Sequence, residues 1–255
     1  MLGDVEYLDR IEAGWRTAGS LLERLTGSNG RKRYPRDLVG RLALRLYLLD
    51  NACRGVLDRA PREAFLQVEA WSDTGTPSPL ADDFARRLAA MYRRWAERRR
   101  MQCDHLEESR GPGRQPYRIL FSISGYAAYS ILEPDHGLHL LELPVDEGKS
   151  FRRIVVRVRV APQPDEPPAD AADFLTQARN MMNDQPDSVA IVRRYREEPS
   201  PLVRDAARGW RTGKIDRVLA GDFDLLGTSS QDAGRAASAA PRTRPGNRPN
   251  KPTVE

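Results

Sequence analysis

The sequence is poor in the residues that carry most enzymatic and metal chemistry. Among its 255 residues there are 2 cysteines and 3 histidines, and 7% of the residues are aromatic. Cys53 and Cys103 stand far apart and outside any CxxC pattern, so neither a zinc knuckle nor a disulfide framework is indicated. This cysteine usage leads us to expect a reducing, cytoplasmic location.

Long apolar runs and familiar catalytic motifs are also missing. No apolar run reaches bilayer length and the first residues include acidic side chains, so neither a membrane span nor a secretory signal is predicted. There is no GxxxxGK[ST], GxGxxG, HExxH or GxSxG pattern. His136 and His139 lie among leucines without a third metal ligand, and we predict that His139 is a packed, hydrogen-bonded residue. We therefore expect no enzyme, no metal, no cofactor and no small-molecule substrate.

The charge balance leaves the class of partner open. The formal net charge is +5, and arginine supplies nearly all of the positive charge. The planar guanidinium group suits phosphate, so a polyanionic partner such as a nucleic acid is one interpretation. A general replacement of lysine by arginine in a GC-rich genome is the other.

Hydrophobic periodicity predicts helices first and a mixed region after them. Apolar residues recur at helical spacing in residues 5–25 and 37–58, which predicts an antiparallel helical hairpin. Residues 81–100 place Phe84, Leu88, Met91 and Trp95 on one side of a further helix and arginines on the other. Strands are predicted at 65–69, 102–108, 117–124, 151–160 and 189–195. The expected fold class is α+β, with a helical hairpin followed by a small mixed α/β sandwich-like domain.

These elements divide the chain into four parts. Residues 1–62 form the N-terminal helical domain, and residues 63–162 together with 189–226 form the α+β domain. Residues 163–188 are a linker rich in proline and aspartate that carries a short helix at 174–183. Residues 227–255 lack apolar periodicity and are predicted to be a disordered basic tail.

The strand predicted at 151–160 carries the most distinctive pattern. Its even-numbered apolar residues from Ile154 to Val160 project to one face, and Arg153, Arg157 and Arg159 project to the other. Neighbours on one face are about 7 Å apart, close to the interval between nucleic-acid phosphates. The predicted RNA- or ribosome-binding residues, taken from this strand, the loop before it and the last strand, are Pro144, Lys149, Arg152, Arg153, Arg157, Arg159, Arg193, Arg194 and Arg196. Pairing of these arginines with acidic neighbours is the alternative.

Several segments, in the same order, resemble the bacterial class I peptide chain release factors, which read stop codons and contain the PCRF domain. The segment DDFARRLAAMYRRWAERRRMQCDHLEES (82–109) is similar to the family's pattern of a helix followed by a strand. The segment EPDHGLHLL (133–141) resembles its ExGVHRL motif, and residues 195–226 resemble its VLDGDLDxFI region. The resemblance spans residues 65–226 and implies a helical first domain followed by a decoding domain.

Two departures from the family change what the resemblance implies. The family's catalytic loop is Gly-Gly-Gln, and this sequence contains no Gly-Gly dipeptide. The hydrolase domain is replaced by residues 163–188, and we expect the strands on either side to close directly on one another. The codon-reading tripeptide corresponds to Leu143, Pro144 and Val145, while Arg152 and Arg153 stand where the family has its codon-contacting His and Thr.

The resemblance implies a release-factor-like protein that binds near the ribosomal A site on the small subunit, contacts rRNA or mRNA, and does not hydrolyse peptidyl-tRNA. Three alternatives stay open, namely an RNA-binding module that acts away from the ribosome, an active release factor, and a protein-interaction adaptor that uses the N-terminal helices. The oligomeric state and the partner of the tail stay undetermined.

Overall fold

A computed structural model describes residues 4–27, 34–71, 78–109, 116–145 and 150–226. The helices are α1 (Asp4–Thr26), α2 (Arg36–Leu57), α3 (Pro79–Arg99), α4 (Ala128–Leu132), α5 (Ala171–Asn183) and α6 (Ile215–Arg217). The strands are β1 (Ala64–Trp71), β2 (Gln102–Ser109), β3 (Arg118–Ser124), β4 (Gly137–Val145), β5 (Ser150–Pro162), β6 (Ile191–Arg196), β7 (Leu202–Asp205) and β8 (Trp210–Thr212). The predicted tail at 227–255 and Lys149 lie outside the described residues.

The eight described strands form one sheet in the order β2-β3-β1-β5-β4-β6-β7-β8. Every neighbouring pair is antiparallel except β4 and β6, which run parallel. A parallel pair needs a crossover connection, and the chain between β5 and β6 supplies it with α5. The expected fold class, α+β, is confirmed.

Helix α3 covers one face of the sheet and provides the centre of the core. Phe84, Leu88, Met91 and Trp95 are each at most 1% exposed and belong to the main apolar cluster with the sheet. Their four-three-four spacing places them on one side of the helix, as predicted. The face of the sheet beneath α3 is called the core face below.

Helix α5 covers part of the opposite face. The side chain of Asp170 caps it by accepting hydrogen bonds from the backbone N–H groups of Ala172 and Asp173, at 2.8 and 3.1 Å. Its inward side packs Ala178 and Met182 against three buried residues of β1, β3 and β5, which are Phe65, Leu120 and Ala161. The rest of that face, from Trp71 at the end of β1 across β5 and β4 to β8, is called the open face.

The N-terminal helices form the predicted hairpin, and α1 contacts the loop after β3. A Cβ atom at Gly14 of α1 would lie 2.5 Å from a methyl group of Leu49 in α2, so glycine is what permits this close approach. The Tyr126 hydroxyl donates a hydrogen bond of 2.6 Å to the carbonyl oxygen of Arg10.

The sequence-based prediction missed three strands, β4, β7 and β8, and it paired β5 with the wrong neighbour. β4 escapes prediction because its first five residues are all buried, so the apolar run of GLHLL shows no alternation. β7 and β8 have only four and three residues, and turn-forming residues such as Pro201, Gly209 and Gly213 flank them. The expectation that β5 and β6 close on one another is wrong, because β4 lies between them.

Candidate nucleic-acid interface

Strand β5 presents its arginines to the open face. Ile154, Val156 and Val158 are at most 4% exposed and contribute to the core, whereas Arg157 and Arg159 alternate with them and are half-buried. Arg153 has the same parity and is exposed. The predicted division of this strand into an apolar and a basic face is confirmed.

The register of the sheet extends this basic face over three more strands. Val155 of β5 lies opposite Leu140, and Leu140 lies beside Arg194 of β6. Arg194 lies opposite Arg204 of β7, which in turn lies opposite Arg211 of β8. Residues that are paired in this way project to the same face of a sheet. We name the resulting set the arginine face: Arg153, Arg157, Arg159, Arg194, Arg196, Arg204 and Arg211.

Three arginines of this face form no ion pair among the described residues, although Glu142 of β4 lies opposite Arg153. Arg153, Arg204 and Arg211 are exposed, and no carboxylate among the described residues forms an ion pair with them. Arg194 reaches a carboxylate only at 3.8 Å, on Glu142 of β4. Since like charges directly opposite one another destabilise a sheet, the Arg194-Arg204-Arg211 row is unfavourable for the isolated fold.

The β5 end of the arginine face is partly neutralised by one exposed carboxylate. Asp187 accepts hydrogen bonds from both Arg157, at 3.1 Å, and Arg159. The hydrogen bond from Arg159 and the charges of the two guanidinium groups lower the pKa of Asp187. The Asp187 side chain is 62% exposed, so an incoming anion can compete with it for the two arginines.

Two aromatic rings lie among these arginines. The Arg157 guanidinium is 5.1 Å from the ring centre of Trp71 at the end of β1, and that of Arg196 is 5.4 Å from the ring of Phe151. Arginines interleaved with aromatic rings provide the phosphate contacts and base-stacking surfaces of single-strand binding proteins. Sequence reasoning missed Trp71, although it follows Gln67 and Glu69 at the two-residue spacing of the same face.

Arg193 does not belong to the interface, and its prediction as an RNA-binding residue is wrong. It is 0% exposed and projects to the core face, where its guanidinium forms ion pairs of 2.8 Å with Asp135 and 2.7 Å with Asp205. Each residue of a strand projects opposite to its neighbour, so Arg193 is internal because Arg194 is external.

The other predicted residues lie at the hairpin between β4 and β5. Pro144 is half-buried and lies opposite Phe151 in the last part of β4. Arg152 is exposed, but it alternates with Arg153 along β5. It therefore projects to the same side of the sheet as the core residues and not to the open face. The structure thus brings Arg153, Arg157, Arg159, Arg194 and Arg196 together, and it leaves Arg152 and Arg193 outside the set.

A buried ionic cluster fixes the strands that carry the arginine face. Asp135 is 0% exposed and also pairs with Arg208, while it accepts a hydrogen bond of 2.8 Å from the Tyr92 hydroxyl of α3. Burial would raise the pKa of Asp135, but the charges of Arg193 and Arg208 hold it at about 2. The carboxylate is therefore ionised at neutral pH.

His139 lies at the edge of this cluster. Its Nε2 atom is 3.1 Å from the carbonyl oxygen of Asp135 and its Nδ1 atom is 3.3 Å from the Tyr195 hydroxyl. Burial and the nearby charge of Arg193 lower its pKa to about 4, so the imidazole is neutral at pH 7. The prediction of a packed, hydrogen-bonded histidine is confirmed.

The described part of the chain has few histidine and cysteine side chains. No group of three or more His, Cys, Asp or Glu side chains within it could hold a metal ion. Burial raises the pKa of the Cys103 thiol to about 11, which disfavours the thiolate. None of the described helices is both long and apolar enough to cross a membrane.

Two comparisons with known proteins found similarity to peptide chain release factors. Residues 58–145, from the end of α2 to the end of β4, match the PCRF domain. This match covers 88 of the 255 residues. Among solved structures, RF2 of Thermus thermophilus is similar, with a TM-score of 0.49 and 19% sequence identity over 89% of this chain and 86% of that chain. The domain match confirms the resemblance to the PCRF domain over residues 58–145.

Proposed function

We propose that this protein is a release-factor-like ribosome binder that uses the arginine face against RNA and does not hydrolyse peptidyl-tRNA. The PCRF domain supports a role in translation. The observation that carries the contact with RNA is the row of Arg194, Arg204 and Arg211 in register across β6, β7 and β8. A row of like charges is stabilised by a polyanion that lies across it.

The β4-β5 hairpin directs the binding. Its strands lead to Leu143, Pro144 and Val145, which stand where the family has its codon-reading tripeptide. Phe151 and Arg153 lie beside this tripeptide, at the turn end of the hairpin and on the open face. We propose that this end approaches the A site of the small subunit, with phosphate contacts in place of the hydroxyl contacts that read base edges.

Co-sedimentation with ribosomes over a series of salt concentrations tests the proposal. Each phosphate contact contributes about 0.7–0.9 to the slope of log K against log salt concentration. Replacing Arg153, Arg204 and Arg211 by glutamine should therefore reduce the slope by about 2–3 and release the protein at physiological salt. Replacing three exposed arginines on the helices, Arg24, Arg36 and Arg93, removes the same charge and serves as the matched control.

Two results would overturn the proposal. No sedimentation with ribosomes at low salt would exclude a phosphate-led contact, and equal losses in the two triple variants would mean that net charge and not the arginine face decides binding. A peptidyl-tRNA hydrolysis assay on programmed ribosomes separates the proposal from an active release factor. We expect no hydrolysis above background, because the sequence has no Gly-Gly-Gln loop.

A binding module for RNA away from the ribosome is the second candidate, and the rings of Trp71 and Phe151 favour it. Aromatic stacking accepts any unpaired base, so it does not require the ribosome. Crosslinking that recovers mainly mRNA would support this candidate, whereas recovery of mainly ribosomal RNA would support the first.

A further inference from the structure

A second cationic site lies away from the arginine face, in a cavity between the N-terminal helices and the end of α3. The cavity has a volume of about 520 Å³, within the range of about 300–1,000 Å³ that is typical of small-molecule sites. Of the described residues, six arginines line it and no aspartate or glutamate does. They come from α1, α2 and the end of α3, and they are Arg10, Arg41, Arg45, Arg98, Arg99 and Arg100.

Two of these six positive charges are neutralised by carboxylates that do not line the cavity. Arg98 pairs with Asp222 at 2.9 Å, and Arg99 is buried in an ion pair with Asp224. Trp95 also donates a hydrogen bond of 3.0 Å from its indole N–H to Asp224. These contacts hold the end of α3 rigidly against the last described turn of the chain.

The other four arginines have no carboxylate partner among the described residues. Backbone oxygens orient two of them, since Arg45 donates from Nε to the carbonyl oxygen of Gly14 and Arg41 donates from Nε to that of Asp37, both at 3.4 Å. Arg10 lies over the ring of Tyr126 at 5.4 Å. Because a carbonyl carries no net charge, these contacts position the guanidinium groups and leave their positive charge in place.

The cavity also has an apolar side. The ring of Tyr126 and four leucines of α1 and α2 line this side. The leucines are Leu21, Leu44, Leu48 and Leu49. A ligand that suits both sides carries several negative charges at one end and a flat, largely apolar group at the other. Phosphates match the guanidinium groups, and a nucleobase matches the tyrosine and leucine surface.

We propose that this cavity binds a nucleoside di- or triphosphate, with the phosphates on Arg41 and Arg45 and the base on the Tyr126 side. Such a ligand would join α1, α2 and α3, so its binding would fix the helical hairpin against the PCRF domain. The site is separate from the arginine face, and it can be tested without ribosomes.

Isothermal titration of the full chain with ATP and with GTP, at low salt, tests the proposal. We expect one site per chain, binding that is weakened at least about tenfold in the Arg41→Gln/Arg45→Gln variant, and no binding of adenosine. The Arg204→Gln/Arg211→Gln variant removes the same charge from the arginine face and should bind as the unmodified chain does. Circular dichroism of both variants checks that α1 and α2 are retained.

Three outcomes would overturn the proposal. The first is no binding of either nucleotide. The second is a loss of binding in the Arg204→Gln/Arg211→Gln variant that equals or exceeds the loss in the Arg41→Gln/Arg45→Gln variant, which would place the nucleotide on the sheet. The third is tighter binding of pyrophosphate than of ATP, which would mean that the apolar side of the cavity takes no part.

Discussion

The neutral, buried imidazole of His139 should make the stability of this protein depend on pH between 7 and 5. Its pKa is about 4 in the fold and 6.5 in an unfolded chain. Between these values the unfolded chain binds a proton that the folded chain excludes, so the stability contributed by His139 is present above pH 6.5 and is lost as the pH falls toward 4. From pH 7 to pH 5 the loss is about 2 kcal/mol.

Urea denaturation at pH 7, 6 and 5 measures this loss directly. The His139→Gln variant should be less stable at pH 7, but its free energy of unfolding should change by much less between pH 7 and 5. His105→Gln is the matched control, because the His105 side chain is 49% exposed and the variant should keep the full pH dependence. Asp135 does not interfere, since its stabilising contribution is lost only below about pH 4. A flat profile in the unmodified protein, or an unchanged slope in His139→Gln, would refute the reasoning.

Two further predictions concern neighbouring charges. Arg193→Met leaves two buried carboxylates without their main partner and should lower the free energy of unfolding in urea by about 3–5 kcal/mol, whereas Arg194→Met on the open face should change it by about 0.5 kcal/mol or less. Equal effects would contradict the assigned faces. Asp187→Asn removes the carboxylate that competes for Arg157 and Arg159, so it should raise ribosome affinity at low salt and steepen the salt dependence in co-sedimentation. Weaker binding would contradict that role.

The periodicity of apolar residues predicted those helices and strands that have one apolar and one polar face. Helix α3 has an apolar stripe at helical spacing, and β5 alternates valine with arginine. In both cases the pattern predicts the secondary structure and the side that is buried. β4 lacks this contrast because its first five residues are buried whichever face they project to, and its sequence could equally describe a short buried helix.

The orientation of β6 shows what the sequence could not provide. The run IVRRYR has two adjacent arginines, and nothing in it says which one is buried. Arg193 is internal because Asp135 and Asp205, which lie 58 and 12 residues away, supply the carboxylates that a buried guanidinium needs. Such partners are recognised only once the strand order is known.

The buried cluster and the arginine face therefore depend on the same register. Arg193 lies opposite Asp205 in the β6-β7 pair, and this places Arg194 opposite Arg204. A slip of one residue that paired Arg193 with Arg204 would move Arg193 to the open face and bury Arg194 opposite Val203, at a cost of several kcal/mol. Asp135 lies in the segment that matches the PCRF domain, whereas β6 and β7 lie beyond that segment. The ionic cluster thus joins the matched segment to the strands that complete the proposed RNA-binding surface, and the core charges fix the arrangement of the exposed ones.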